Sequence, residues 1–247
     1  MMFPLLQLGP LALQVPGLFL IGALLLGARL AEGEARRQGR SPEALSNLIF
    51  YGLVSGIVGA RLGYVLRYLD TYLANPRGIL SLNPSALDLR AGVIACVIVM
   101  FFYGRRKHLA LRATLDQLTP LLAALAVGIG LANLASGNAY GSPTDLPWAI
   151  HLWDAERHPS QIYESVAALL ILVVVWRSRR AAPYPGFSFL LWLALISAAR
   201  LFLEAFRGDS VFVAGRIRQA QVVALGVLLL SLWLMRYWYE RIQSADG

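Results

Sequence analysis

One cysteine, three histidines and 14 acidic residues in 247 positions leave little material for several familiar chemistries. Cys96 has no second thiol to pair with and lies inside an apolar run, so an internal disulfide is excluded and the redox compartment goes unmarked. The histidines do not stand at metal-ligand spacing, and neither a glycine-rich phosphate loop nor a serine-hydrolase elbow occurs. No metal and no cofactor is expected. Charged residues make up only 15% of the chain, and no polar segment is long enough to build a water-soluble domain. Internal repeats and low-complexity tracts are missing as well.

What fills the chain instead is apolar: 57% of residues are hydrophobic and the mean hydropathy is +0.59. That composition predicts an integral membrane protein, all-α and polytopic, forming a single transmembrane helical domain over residues 1–247. Seven apolar runs approach the ~20 residues needed to cross the hydrocarbon core, at about 11–30, 47–68, 91–103, 115–134, 162–176, 187–206 and 222–238. The third and fifth are short and need polar flanks to complete them. The apolar start, 3–30, differs from a signal peptide: it is long, no basic region precedes it, and arginines follow from Arg29 onward. It reads as an uncleaved first span.

Lys and Arg outnumber Asp and Glu by 22 to 14, but they come in short groups between apolar runs. That is the pattern of cytoplasmic anchoring, not of nucleic-acid binding. Arg36, Arg37 and Arg40 follow the first run, Arg105, Arg106, Lys107 and Arg112 the third, and Arg177, Arg179 and Arg180 the fifth. The intervening loops are poorer, so the N-terminus is expected outside and the C-terminus inside. This places residues 136–160, a turn-rich stretch with Trp148 and Trp153, in an outer-face loop region. Only 243–247 reads as a disordered tail.

Against this background residues 157–164, Arg-His-Pro-Ser-Gln-Ile-Tyr-Glu, set Arg157, His158, Gln161, Tyr163 and Glu164 directly against an apolar run. Such a cluster belongs either in the headgroup region or in a polar cavity. A histidine there can carry protons near neutrality. The same His-Pro sequence also suits an ordinary capping turn, with Pro159 in the first turn and Ser160 as the cap. At the end of the sixth run Arg200, Glu204 and Arg207 stand at i, i+4 and i+7, on one helical face, where the carboxylate can pair with either guanidinium. A lone arginine in hydrocarbon costs ~2.5–3.5 kcal/mol, so this face either turns into the bundle or snorkels to the interface. In the second run Gly56, Ala60 and Gly63 permit close helix approach. Arg61 beside them requires a carboxylate, a carbonyl or an anionic ligand, and an ion pair with Glu164 or Glu204 competes with substrate for that role. In the fourth run Gly128 and Gly130 lead into Asn133, Ser136, Gly137, Asn138 and Gly141, a set that serves helix packing or holds a polar headgroup by neutral hydrogen bonds.

Four of these segments, namely 157–164, 59–64, the Asn133…Gly137…Gly141 spacing and Arg200…Glu204…Arg207, closely resemble the prolipoprotein diacylglyceryl transferases, in the same order and over nearly the whole chain. The resemblance implies a multi-pass enzyme of the bacterial cytoplasmic (inner) membrane, surrounded by membrane lipids. It would move the diacylglyceryl group of phosphatidylglycerol onto the lipobox cysteine thiol of a preprolipoprotein and release glycerol phosphate. Arg200 carries over as the family's essential arginine, with Glu204 orienting it and His158 as a catalytic candidate. Arg61, Arg90, Asn133, Asn138, Gly141, Gln161, Tyr163, Glu164 and Arg207 form the expected substrate-binding set.

Four polar positions of the family pattern are changed. Its signature arginine aligns with Gly130 and its glutamate with Asn138, its histidine before the third span aligns with Arg90, and its first-span tyrosine falls at Pro16. Arg90 can supply the phosphate contact that Gly130 has no side chain to make, but it stays protonated and cannot be a general base. The thiol proton is left to water, His158 or a phosphate oxygen. A catalytically impaired paralogue that binds lipid or lipoprotein is the alternative, and a small transporter a third reading.

Overall fold

A computed structural model describes residues 5–8, 11–80, 86–213 and 215–246. The elements are β1 (Leu5–Leu8), β2 (Leu11–Gln14), α1 (Val15–Arg37), α2 (Pro42–Arg67), α3 (Leu69–Ala74), α4 (Leu89–Arg106), α5 (Leu111–Ser136), β3 (Ile150–Leu152), β4 (Ala155–Arg157), α6 (Ser160–Ser178), α7 (Phe187–Leu203), β5 (Phe212–Val213), β6 (Ile217–Arg218) and α8 (Gln219–Asp246). Among the described residues six helices are long and apolar enough to cross a membrane: α1, α2, α5, α6, α7 and α8, the α6 and α7 spans running on through short 3₁₀ turns. Their outward faces carry Leu25, Ile57, Leu66, Leu170 and Leu229, while Thr119, Gln161, Glu204 and Ser231 are buried. That inside-out arrangement suits a hydrocarbon solvent, and the chain is a mostly helical, multi-pass membrane protein.

The ends of the helices differ from the apolar runs for local reasons. Residues 11–14, expected at the head of the first span, pair antiparallel with β1, Leu11 opposite Leu8 and Gln14 opposite Leu5. Residues 1–4, 9 and 10, part of the expected apolar start, lie outside the described residues. At its other end α1 continues to Arg37 because polar side chains support one another along the helix, Arg36 with Glu32 at 3.5 Å and Arg37 with Glu34. Where 243–247 was expected as a disordered tail, α8 instead continues to Asp246, and of these five residues Gly247 lies outside the described residues. The expected third span is helical over the 18 residues of α4, but Arg90, Arg105 and Arg106 lie within its ends, so it is not among the six.

The chain divides into two compact units, one of residues 32–114 and one of residues 1–31 with 115–247. In the first, α2 and α4 are antiparallel and meet along a seam of small residues. A Cβ at Gly59 would lie 2.3 Å from the Ala95 Cβ, and one at Gly63 only 2.2 Å from that of Ala91. Glycine is therefore required for this approach. Ser41 caps α2 through the Ala44 N–H at 3.2 Å, with Pro42 at the first helical position. Asp88 caps α4, accepting the Arg90 and Ala91 N–H groups at 2.9 and 3.1 Å, and it pairs with Arg67 at 2.6 Å. The Ala91 N–H foremost, with Arg67 and the Arg90 N–H, holds the Asp88 carboxyl below the usual carboxylate range against the opposing effect of burial.

In the second unit, α1 packs on α5 where glycines remove side chains: Gly27 against Leu121, and Gly128 against Ala23 and the Phe19 carbonyl. Asp116 of α5 anchors the start of α7 by accepting the Gly186 and Phe189 N–H groups at 2.6 and 2.9 Å. The Tyr184 hydroxyl donates to the Met235 carbonyl of α8 at 2.9 Å. These bonds lie at the ends of α7 and α8 away from the polar cluster described next.

Candidate functional site

The octapeptide is delivered by a small piece of irregular sheet. Ile150 pairs with Arg157 and Leu152 with Ala155, and the turn between them, Trp153 and Asp154, has φ of 53° and 57°. Both central residues are left-handed, as in the hairpin turns whose twist matches the strands they join. Segment 140–144 lies between this hairpin and the chain leaving α7. The Ser142 N–H donates to Phe206 O at 2.8 Å and Gly208 N–H to Tyr140 O at 2.9 Å, while His158 N–H donates to Ser142 O at 3.0 Å and Thr144 N–H to Glu156 O at 3.0 Å. Glycine is obligatory at the crossing: a Cβ on Gly141 would fall 2.1 Å from the His158 carbonyl oxygen, and one on Gly208 2.6 Å from that of Gly141. Gly141 therefore matters through the backbone approach it allows to His158 and Arg207.

On the helical side, Pro159 sits at the entry to α6. Ser160 is not the cap expected of it; it is the first helical residue, and its hydroxyl donates to Ala139 O at 2.7 Å. Gln161, fully buried, donates to Asn138 O at 3.0 Å, and its Oε1 has no partner among the described residues. One turn on, Glu164 points toward α7. Its Oε1 accepts Arg200 Nη1 at 2.9 Å and Arg207 Nη1 at 2.8 Å. Arg200 also pairs with Glu204, Nη2 to Oε2 at 2.8 Å, one helical turn along. The Ser210 hydroxyl donates to the other oxygen of Glu204 at 2.8 Å. Arg207 does not continue the helical face of Arg200 and Glu204, because α7 ends at Leu203, a 3₁₀ turn follows, and Arg207 is extended. It reaches Glu164 from the extended segment bridged to Gly141.

These groups head a cavity of about 520 Å³ lined by Arg200, Glu204, Arg207, Asp209 and Ser210 at one end and by apolar residues of α7 and α8, such as Val223 and Val227, at the other. A smaller one of about 190 Å³ lies on the other side of Arg200, where Glu164 meets Gly130, Ile129 and Ala167. Fixed cations at the end of an apolar slot can hold an anionic headgroup while its tails remain in hydrocarbon. Glu164 and Glu204 hold the two guanidiniums from separate sides.

His158 stands apart from the ion pairs. Its ring is packed edge-on against Phe206 and Tyr163, at 5.2 and 6.2 Å between centroids, and its buried Nδ1 has no partner among the described residues. Tyr163 accepts a hydrogen bond from Trp148 Nε1 at 2.8 Å. Arg157 is taken up by the Leu152 and Gly141 carbonyls and the face of Tyr140. Asn133 is half-buried, its carbonyl accepting the Ser136 hydroxyl, and Asn138 is exposed. Pro16 is the second residue of α1. Gly130 lies where α5 touches α6: a Cβ there would be 2.4 Å from the Ser165 hydroxyl and 3.1 Å from its Cα.

Arg61 and Arg90 belong to the unit of residues 32–114. Arg61 finds carbonyls, not a carboxylate: Ile79 at 3.0 Å, Ala86 at 2.8 Å and Gly78 at 2.6 Å, with the Tyr72 ring 5.5 Å away. Arg90 is exposed in the first turn of α4. Asp209 and Ser210, which touch the arginine network directly, are not marked by the sequence pattern; the only signal is an acid two residues beyond Arg207.

Fold and cluster together define a multi-pass membrane protein with its ionic groups gathered at one end of an apolar cavity. A family model described as prolipoprotein diacylglyceryl transferase matches residues 4–237, and the chain belongs to that family. Among similar proteins, the phosphatidylglycerol–prolipoprotein diacylglyceryl transferase of Finegoldia magna is 30% identical over 93% of both chains. That of Acinetobacter baumannii is 30% identical over 95% of this chain and 92% of its own, and that of Trichormus variabilis 29% identical over 96% and 89%.

Proposed function

We propose that this chain transfers the diacylglyceryl group of phosphatidylglycerol to the lipobox cysteine of a preprolipoprotein in the bacterial cytoplasmic membrane. The observation that carries the reading is the pair Arg200 and Arg207, clamped on Glu164 at the head of the 520 Å³ cavity. The lipid phosphate sits against these guanidiniums, and the apolar walls of α7 and α8 receive acyl chain. The cysteine thiolate attacks the glyceryl carbon, a C–S bond forms, the C–O bond to phosphate breaks, and glycerol phosphate leaves with the electron pair. Negative charge that builds on the leaving phosphate is stabilised by the same arginines, Arg200 foremost, with Glu204 and Glu164 orienting them. The thiol proton passes to His158, to water or to phosphate. Gly141 and Gln161 set the position of the strand and helix that bring Arg207 and Glu164 together, and Tyr163, Asn133 and Asn138 line the approach.

In the same reading α4 is a seventh crossing, its 18 residues spanning about 27 Å. The N-terminus lies outside, the C-terminus inside, and residues 136–160 face the outer leaflet, as the arginine-rich loops 36–40, 105–112 and 177–180 support.

The test is transfer by the purified protein from phosphatidylglycerol to a lipobox peptide. A diacylglyceryl thioether is expected, and Arg200→Ala abolishes it. The tight Gly130–Ser165 contact, where even a Cβ would meet the Ser165 hydroxyl at 2.4 Å, favours a second reading, an impaired paralogue that binds lipid or lipoprotein. Lipid binding with no thioether under any lipid composition would decide for it.

A further inference from the structure

The loop leaving α7 carries an acid that no step of the transfer uses. Arg207 Nε donates to Asp209 Oδ1 at 2.8 Å and Nη2 to Oδ2 at 2.7 Å, two parallel bonds in the fork geometry by which a guanidinium also grips a phosphate. The two partners are unequally held. The Arg207 side chain is 11% exposed and is tied to Glu164, whereas Asp209 is 28% exposed and follows Gly208 in the loop. Asp209 lines the same cavity as Arg200.

Charge makes the contact consequential. In this cluster two guanidiniums, Arg200 and Arg207, face three carboxylates, Glu164, Glu204 and Asp209. An anionic phosphate entering the cavity would meet cations already outnumbered. Glu164 and Glu204 are the more buried acids and hold both arginines in place, so they are not the ones to yield. Asp209 is.

We propose that Asp209 is a positioning residue that occupies the phosphate's place on Arg207 while the site is empty and is displaced when the lipid phosphate arrives. Binding is then an exchange of one two-oxygen anion for another, and Arg207 stays aimed throughout. A monodentate anion replaces only one of the two bonds and is disfavoured. The inference rests on the transferase reading for the identity of the ligand but not for the exchange itself.

Two measurements test it: calorimetric binding of glycerol phosphate to the full-length protein in detergent, and the KM for phosphatidylglycerol in peptide transfer. Asp209→Asn removes the competing charge at nearly constant shape. Glycerol phosphate should bind roughly three- to tenfold more tightly, with KM falling by a similar factor and the change absent from kcat. Asp209→Glu should bind as the wild type does. Mere damage to the loop would weaken binding and lower kcat, so a gain in affinity is not open to that explanation. Unchanged, weakened or undetectable binding in Asp209→Asn overturns the exchange. Tighter binding in a protein that makes no thioether would leave the exchange standing and sink the transferase reading; transfer by the wild type with no gain in Asp209→Asn would do the reverse.

Discussion

Glu164→Gln is the perturbation that bears most on the site. One oxygen of Glu164 accepts from both Arg200, at 2.9 Å, and Arg207, at 2.8 Å, so a single carboxylate fixes the spacing of the two cations. Glutamine keeps the volume and one acceptor oxygen but loses the charge, and its amide repels whichever guanidinium it faces. A hydrogen bond to a charged group contributes about 1.5–3 kcal/mol. The Arg207 side chain is 11% exposed, so its bond counts in full, whereas Arg200 at 37% is partly screened by solvent. Together the loss is about 2–3 kcal/mol, or roughly a 30- to 150-fold fall in kcat/KM for transfer from phosphatidylglycerol to a lipobox peptide. Mass spectrometry of the peptide at graded lipid concentrations measures it. Because Glu164 acts through the arginines, Glu164→Gln should add much less than its full effect in an Arg207→Ala background. A fall under threefold, or full additivity with Arg207→Ala, would refute the idea that this carboxylate organises the pair.

The remaining predictions concern packing and capping. Gly141→Ala places a methyl group 2.1 Å from the His158 carbonyl oxygen and should destabilise by about 1–3 kcal/mol, visible as a lower Tm in detergent together with a loss of transfer. Gly130→Arg, the residue expected from the family pattern, should lower stability and not raise activity, and Ser165→Gly in the same chain should recover part of the loss; a more active single variant would show that α5 and α6 part easily. In the other unit, Gly63→Leu should open the α2–α4 seam, whose Cβ clearance is 2.2 Å, and lower Tm more than Gly104→Leu, where none of the described residues lies within 4 Å of the added Cβ. Asp88→Asn weakens the α4 cap. The folded carboxyl titrates below its unfolded value, so its contribution is complete above about pH 3.9 and is lost as pH falls through the folded pKa. The Tm gap between wild type and Asp88→Asn should therefore be present at pH 7 and close as the medium is acidified; a gap that stays constant would contradict it.

How much of this could be read from the chain depends on the range of the interaction. Apolar runs marked the bodies of α2, α5, α6, α7 and α8, because burial in lipid needs only length and hydropathy. Their ends depended on polar neighbours. Glu32 and Glu34 carry α1 past its apolar part, and the pairing of Leu11–Gln14 with β1 shortens it at the start. The Arg200–Glu204 pair was legible as an i, i+4 contact. Arg207 was legible as a partner for the acidic groups near Glu204 but not in its position, since the 3₁₀ turn after Leu203 replaces the helical face with extended backbone. Arg61 showed its need for a partner but not that backbone carbonyls supply it, and Ser160 read as a cap while its hydroxyl turns to Ala139. Asp209 was hidden because an exposed acid after a glycine reads as solvated turn; only the folding of segment 140–144 against Phe206 and Gly208 shows what it faces.

The most direct measurement follows both products at once. Phosphatidylglycerol labelled in its terminal glycerol is incubated with the purified protein and a lipobox peptide, and thioether and glycerol phosphate are counted together. One glycerol phosphate should be released for each peptide modified, and neither product should form with Arg200→Ala. Thioether formed without glycerol phosphate, or both products surviving Arg200→Ala, would contradict this.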